Sequence, residues 1–499
     1  MKTRIVALTF AVFALAGLAV LRAAHPPASS PVAASAAMHS TLPSIKTAKM
    51  MLNSTPRHRE WINVQVGSAT VWAFLVYPQR ADNAPVVMVT AKNQGASDWI
   101  RAVGDQLAAE GFIAVVPDVL SGLGPNGGGT ESFSGNDAVA AALQKLGRDE
   151  AARRTEALRR YAVSLPAANG KSASFEFSAV EGDDAWREAI AELNKETGNH
   201  PVPGTNPRMS ADMMSDEDHS AHMMMAMAPA ASPAAPPPQG LPAGYPATKL
   251  PNLPAGLFNA KSTLLHSTLR KEFVDVPAGT VKLHVWVEYP QGNDKAPVVL
   301  VMQHGPGLDD WQRSLADQLA LEGFIAVAPD LYSGLGPNGG NFDSFEGSDD
   351  AMRSSAKLTQ DEGIRRYKAA YEYAMKLPRA NGKSATLGFC AGGSYSFRFA
   401  GEVPQINAAV VFYGTQPSEE IMAKIKAPIL GFYGDDDARV TSTVEPTIAS
   451  MKKLGKSYEP HIYPHGTHGF LEYQDLGGNP EAVTDSWSRT IAFLKQRLE

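Results

Sequence analysis

The chain has 499 residues, a net charge of −6, 44% hydrophobic residues and a single cysteine, Cys390. That length allows two or more domains, and the hydrophobic content suits a globular protein with a real core. The mild charge and the lack of a basic stripe argue against nucleic acid as a partner, and one cysteine excludes an internal disulfide.

Residues 1–24 read as an export signal. Lys2 and Arg4 give a positive start, Ile5 to Leu21 is apolar, and small residues follow, with Ala34-Ser35-Ala36 as a cleavage pattern. The same apolar run could instead stay as a short anchor. No later stretch is long enough to span a bilayer, so no stable membrane contact is expected once the signal is removed. Residues 25–54 are rich in Ala, Ser and Pro and read as linker. In an oxidising compartment the lone thiol of Cys390 is either buried and inert or a working group.

A long internal repeat comes next. Ala84-Pro85-Val86-Val87 returns as Ala296-Pro297-Val298-Val299, and Ser121 to Gly128 returns letter for letter as Ser333 to Gly340. Asn169-Gly170-Lys171-Ser172-Ala173 returns as Asn381-Gly382-Lys383-Ser384-Ala385, each pair offset by 212 residues without a gap. A repeat of that length is a duplicated domain or half-domain, placed here at residues 55–195 and 263–499. Between the copies, residues 196–262 read as a linker rich in Pro, Ala, Met and His. Met213, Met214, His219, His222 and Met223 to Met225 in it offer soft ligands that could hold copper, against the plainer reading of a spacer.

Each copy alternates strands and helices. In the second, Val298–Met302 and Phe324–Ala328 are short apolar runs suited to buried parallel strands. Trp311, Leu315 and Leu319 mark a helix that Asp309 or Asp310 can cap. Ile364, Tyr367, Tyr371 and Met375 mark another, stopped before Pro378. Beyond them the second copy continues alone, with strands at 408–413, 429–433 and 458–463 and a closing helix from about Pro480. The pattern predicts an α/β fold with a doubly wound, mostly parallel sheet, preceded by a truncated repeat of the same fold.

The chemistry concentrates in Gly388-Phe389-Cys390-Ala391-Gly392-Gly393. A glycine two before and two after a nucleophile suits a strand-to-helix elbow that lifts the reactive atom above the sheet and leaves the Ala391 amide free to face an oxyanion. A thiol nucleophile needs a base, and the base an orienting carboxylate. The Asp435–Asp437 cluster and His468 each follow a predicted strand, in the order nucleophile, acid, histidine. In the first copy the elbow becomes Glu176-Phe177-Ser178-Ala179-Val180-Glu181. Ser178 matches the nucleophile, but the glycines are gone and nothing corresponds to the acid or the histidine. That copy is expected to be inactive and to dock on the catalytic domain or on another subunit, because half a sheet would leave an open edge.

Residues Phe273 to Leu498 resemble the dienelactone hydrolase family of α/β hydrolases. The resemblance rests on the elbow, on Gly434-Asp435-Asp436-Asp437 with Val440, and on His468-Gly469-Phe470. It implies a Cys390, Asp437, His468 triad, hydrolysis of small esters or lactones through a thiol acyl-enzyme, and no cofactor or metal. Phe412-Tyr413-Gly414 looks like the family's aromatic strand end and puts Tyr413 at the pocket. The position of the family's glutamate after the first buried strand falls on His304, which either touches the thiol or lines its loop, and the amide of Gly305 beside it becomes a second oxyanion donor. Where the type enzyme has an arginine four residues after its histidine stands Glu472, which is expected to repel anionic substrates. The rival readings are a non-catalytic binding module on this fold and a copper-handling protein acting through the Met/His segment.

Overall fold

The computed structural model describes residues 42–177, 182–200, 249–250, 252–476 and 479–498. The export signal, Ser178 with Ala179 to Glu181, and the Met/His segment lie outside the described residues. Among the described residues no helix is long and apolar enough to cross a membrane.

Among the described residues two sheets form, built on the same five-strand unit. The first holds β1 (Arg59–Val66), β2 (Ala69–Val76), β3 (Ala84–Ala91), β4 (Ile113–Asp118) and β5 (Ala168–Phe177) in the order β1-β2-β4-β3-β5. The second holds β6 (Arg270–Ala278), β7 (Val281–Tyr289), β8 (Ala296–Met302), β9 (Ile325–Pro329), β10 (Ala380–Phe389), β11 (Ala408–Phe412), β12 (Ile429–Gly434) and β13 (Tyr458–Tyr463). Its order is β13-β12-β11-β10-β8-β9-β7-β6, so the segment β6-β7-β9-β8-β10 repeats the first sheet strand for strand. The first copy keeps the mixed pairing of a mostly parallel sheet. There β3 runs parallel to β4 and β5, but β2 is antiparallel to both β1 and β4. The cause is local: Gly67 and Ser68 alone join β1 to β2, with Gly67 at φ 64°, and a two-residue connection makes a hairpin.

Alternation along buried strands sends apolar side chains to both faces of the second sheet. Val298, Leu300 and Met302 pack on one side, and Val299 and Val301 on the other against Trp311 and Leu315. Asp309 caps the helix Asp310–Leu321 by accepting from the Gln312 amide at 2.9 Å. Both presumed linkers are shorter than composition suggests. Ala48–Ser54 is a helix whose Ala48 and Leu52 are buried with Phe74 and Val103. Leu253 and Ala255 are buried beside Trp311, whose indole N–H donates to the Ala255 carbonyl at 3.1 Å, and a helix spans Ala260–His266. A few apolar residues at each linker end suffice to cover core that the sheets leave bare.

Polar groups line the seam between the copies. Buried Arg101 donates to Asp349 at 2.5 Å, Lys49 to Glu346 at 2.6 Å, and the Asp349 amide to Asn53 at 3.0 Å. At the other end the Ala438 amide donates to the Arg80 carbonyl at 3.1 Å, next to Asp437. The helix Ala48–Ser54 and β1 therefore lie against the helix Ser348–Ser355, and the segment between that first helix and β1 reaches the elbow.

Candidate active site

Cys390 sits where β10 turns into the helix Ala391–Glu402, at φ 54° and ψ −118°. That left-handed conformation costs a residue with a side chain about 1–3 kcal/mol and is held by its surroundings. The Cys390 amide donates to the Phe412 carbonyl at 3.0 Å, which ties the elbow to β11. The flanking glycines are required by contact. A Cβ on Gly388 would strike the Gly392 carbonyl, and one on Gly392 would strike the backbone oxygens of Met302 and Gln303. The elbow thus presses on the end of β8, just before Gly305, while Ala391 opens the helix with its amide at the N-terminal end.

The loop after β12 brings Asp437, and the loop after β13 brings His468. Asp437 Oδ2 and His468 Nδ1 are 2.6 Å apart, and both groups are buried. Among the described residues the buried Nε2 of His468 has no hydrogen-bond partner within bonding distance, and a ring nitrogen of His468 lies within 4.8 Å of the half-buried thiol sulfur. Electrostatics poise the group. Burial opposes ionisation of Cys390, but the His468 and then the His58 imidazole outweigh it and hold the thiol well below its ordinary value. Burial disfavours a charged His468, yet Asp437 and then Cys390 outweigh burial and raise it to about 9. Asp437, buried as well, is lowered chiefly by His468. Its neighbour Asp435 does something else: its carboxylate accepts from the His465 amide at 2.5 Å and shapes the turn.

The remaining sequence candidates divide. Tyr413 is buried at a positive φ of 39°, with its ring 4.9 Å from His468 and its hydroxyl without a hydrogen-bond partner among the described residues. His304 does not turn to the thiol. Its Nδ1 meets Glu472 at 3.0 Å and its Nε2 meets Asp309 at 3.1 Å. Burial lowers His304, but Glu472 and then Asp309 outweigh it and raise the imidazole to about 10. Glu472 is itself buried and faces this cation, so the expectation that it repels anionic substrates is corrected: its charge is met inside the protein. Donor atoms of His304, Asp309 and Glu472 lie within 4.8 Å of one another, as do those of His58, Cys390 and His468. The first group is an imidazole held between two carboxylates, and the second is centred on a strained nucleophile.

Sequence reasoning missed His58. It comes from the first copy, 332 positions before Cys390, and its Nδ1 lies 3.6 Å from the thiol sulfur. Its ring packs edge-on to His468 at 4.5 Å. Glu60 Oε2 stands 3.8 Å from the other nitrogen of His58, and the Tyr77 hydroxyl donates to Glu60 at 2.7 Å. A signal did exist in the repeat. Glu60 and Tyr77 return as Glu272 and Tyr289, which keep the same hydrogen bond at 3.0 Å, but opposite His58 stands Arg270.

The profile of the dienelactone hydrolase family matches residues 71–174 and 283–498, covering most of both copies. The chain belongs to the dienelactone hydrolase family. This family member is 29% identical over 247 residues to a protein of Saccharolobus solfataricus that bears the provisional name carboxymethylenebutenolidase, covering 43% of this chain and 94% of that one. It is 27% identical over 209 residues to the carboxymethylenebutenolidase of Pseudomonas sp. strain P51, covering 40% of this chain and 85% of that one. Among solved structures, the dienelactone hydrolase of Anabaena variabilis aligns over 47% of this chain and all of its own, with 21% identity and a TM-score of 0.37. Family and relatives support a hydrolase.

Proposed function

We propose that this family member is an exported hydrolase that cleaves small carboxylic esters or lactones through a cysteine acyl-enzyme. The observation that carries the reading is the strained Cys390 elbow facing a His468–Asp437 pair at 2.6 Å. His468 holds the thiol proton, and the Cys390 thiolate attacks the carbonyl carbon. The tetrahedral oxyanion is met by the amides of Ala391 and Gly305. The carbon–oxygen bond to the leaving alkoxide then breaks, and the imidazolium of His468 protonates the alkoxide. Water cleaves the thioester that remains and frees the acid. Asp437 keeps Nδ1 protonated, so that Nε2 faces the sulfur. The lysine-and-arginine start with its apolar run supports export. A screen of short acyl esters and simple lactones with wild type and Cys390→Ala tests the proposal. Turnover by wild type and none by the variant is expected. Undiminished turnover by Cys390→Ala would refute the cysteine mechanism.

A further inference from the structure

The active site contains a second histidine–carboxylate pair. The imidazoles of His468 and His58 both approach the sulfur; behind the first stands Asp437 at 2.6 Å, and behind the second Glu60 at 3.8 Å. The second pair has its own support. The Tyr77 hydroxyl and the guanidinium of Arg439 both act on Glu60. Burial would raise Glu60, but His58, Arg439 and Tyr77 outweigh it and lower it to about 2, so it faces His58 as a carboxylate. Arg439 also acts on Asp437 and sits 5.5 Å from the Tyr77 ring, which joins the two carboxylates through one cation.

We propose that His58, delivered by the N-terminal copy, is the general base that activates water for hydrolysis of the acyl-enzyme, with Glu60 as its positioning residue. The proposal rests on the cysteine mechanism above and divides its proton transfers between two histidines. In acylation His468 gives its proton to the leaving alkoxide. In deacylation the Glu60 carboxylate faces His58 Nε2–H and leaves the Nδ1 lone pair directed at the thioester. Nδ1 takes a proton from water while the water oxygen bonds to the carbonyl carbon. The carbon–sulfur bond then breaks, and the electron pair returns to sulfur as thiolate. The carboxylic acid product loses its proton to solvent. The proton on His58 passes to neutral His468, whose ring is 4.5 Å away, and the resting thiolate–imidazolium pair is restored. Atoms and charges balance to ester plus water giving carboxylate, proton and alcohol. The N-terminal copy thereby has a chemical task that needs no elbow of its own.

Pre-steady-state kinetics of the full chain with p-nitrophenyl acetate test this. In His58→Gln, nitrophenol should appear in a burst approaching one equivalent per Cys390, with a burst rate within a few-fold of wild type. Steady turnover should fall on the order of 100-fold, the size of a general-base contribution. Glu60→Gln should lose the same step, less severely. Iodoacetamide labelling of Cys390 should change only a few-fold in His58→Gln, which shows that site and fold persist. The proposal is overturned if His58→Gln keeps steady turnover within about threefold, or if its burst, labelling rate and turnover collapse together. Failure of the underlying mechanism looks different: Cys390→Ala would then still turn over ester, and both readings would fall.

Discussion

Arg101→Met is the sharpest test of what holds the two copies together. The Arg101 side chain is fully buried, as is Asp349, and the two are 2.5 Å apart. Removing one partner of a buried pair costs about 3–5 kcal/mol, because the other charge stays desolvated. Here Asp349 keeps Arg353 at 3.8 Å, which places the loss near the lower end, at about 3 kcal/mol. The guanidinium also stacks 5.4 Å from the Trp61 ring and 5.3 Å from Phe74, contacts that methionine replaces in part. Urea unfolding at pH 7 should show the unfolding constant rising on the order of 100-fold. Arg101→Met/Asp349→Leu should recover to within about 1 kcal/mol of wild type, since an apolar pair carries no desolvation cost. Burial pushes the Asp349 carboxyl up, but Arg101 outweighs it and holds it below its ordinary value. Its contribution is therefore complete above about pH 4 and is lost as pH falls further, so wild type and Arg101→Met should converge in acid. A single variant within about 0.5 kcal/mol of wild type at pH 7 would refute the reasoning, because the seam would then not rest on this pair.

Three further outcomes are expected. Iodoacetamide should label Cys390 rapidly even at pH 6 and abolish hydrolysis, because the thiol is held well below its ordinary value; a rate that rises only near pH 8.5 would refute a preformed thiolate. Asp437→Asn should lower kcat on the order of 1,000-fold by presenting the wrong tautomer of His468, while Asp435→Asn, whose carboxylate accepts from the His465 amide, should stay within a few-fold; equal losses would mean another acid orients the imidazole. Glu472→Gln should bring His304 down from about 10 while leaving selectivity between neutral and anionic esters unchanged, read by NMR titration of the imidazole and by paired substrates; a swing toward anionic esters would show that Glu472 faces the pocket after all.

What could be read from the sequence was whatever is local. The elbow glycines and the strand periodicity depend on neighbours in the chain, the repeat compares one run of letters with another, and together they located Cys390, both sheets and the loops bearing Asp437 and His468. The pairing of His304 with Glu472 was hidden, because 168 positions separate them and each stands where the family pattern has a different residue. A glutamate at a pocket position reads as a negative surface until its buried partner is found. His58 was harder still, since nothing in a strand sequence tells which other domain its first residues face. The departure from the repeat at this position, histidine against Arg270 beside a kept Glu60 and Tyr77, was the available clue.

The distance along the chain between His58 and Cys390 also bears on synthesis. A ribosome adding about 5–20 residues per second makes the 332 positions between them in roughly 20–60 s. Throughout that interval the N-terminal copy has nothing to dock on. The surface it must keep in water until then carries Lys49, Asn53, Arg59 and Arg101, groups that hydrate well while they wait. An oily seam of the same extent would have given the nascent half a sticky face for about a minute; a polar one lets it linger in solution until its partner emerges.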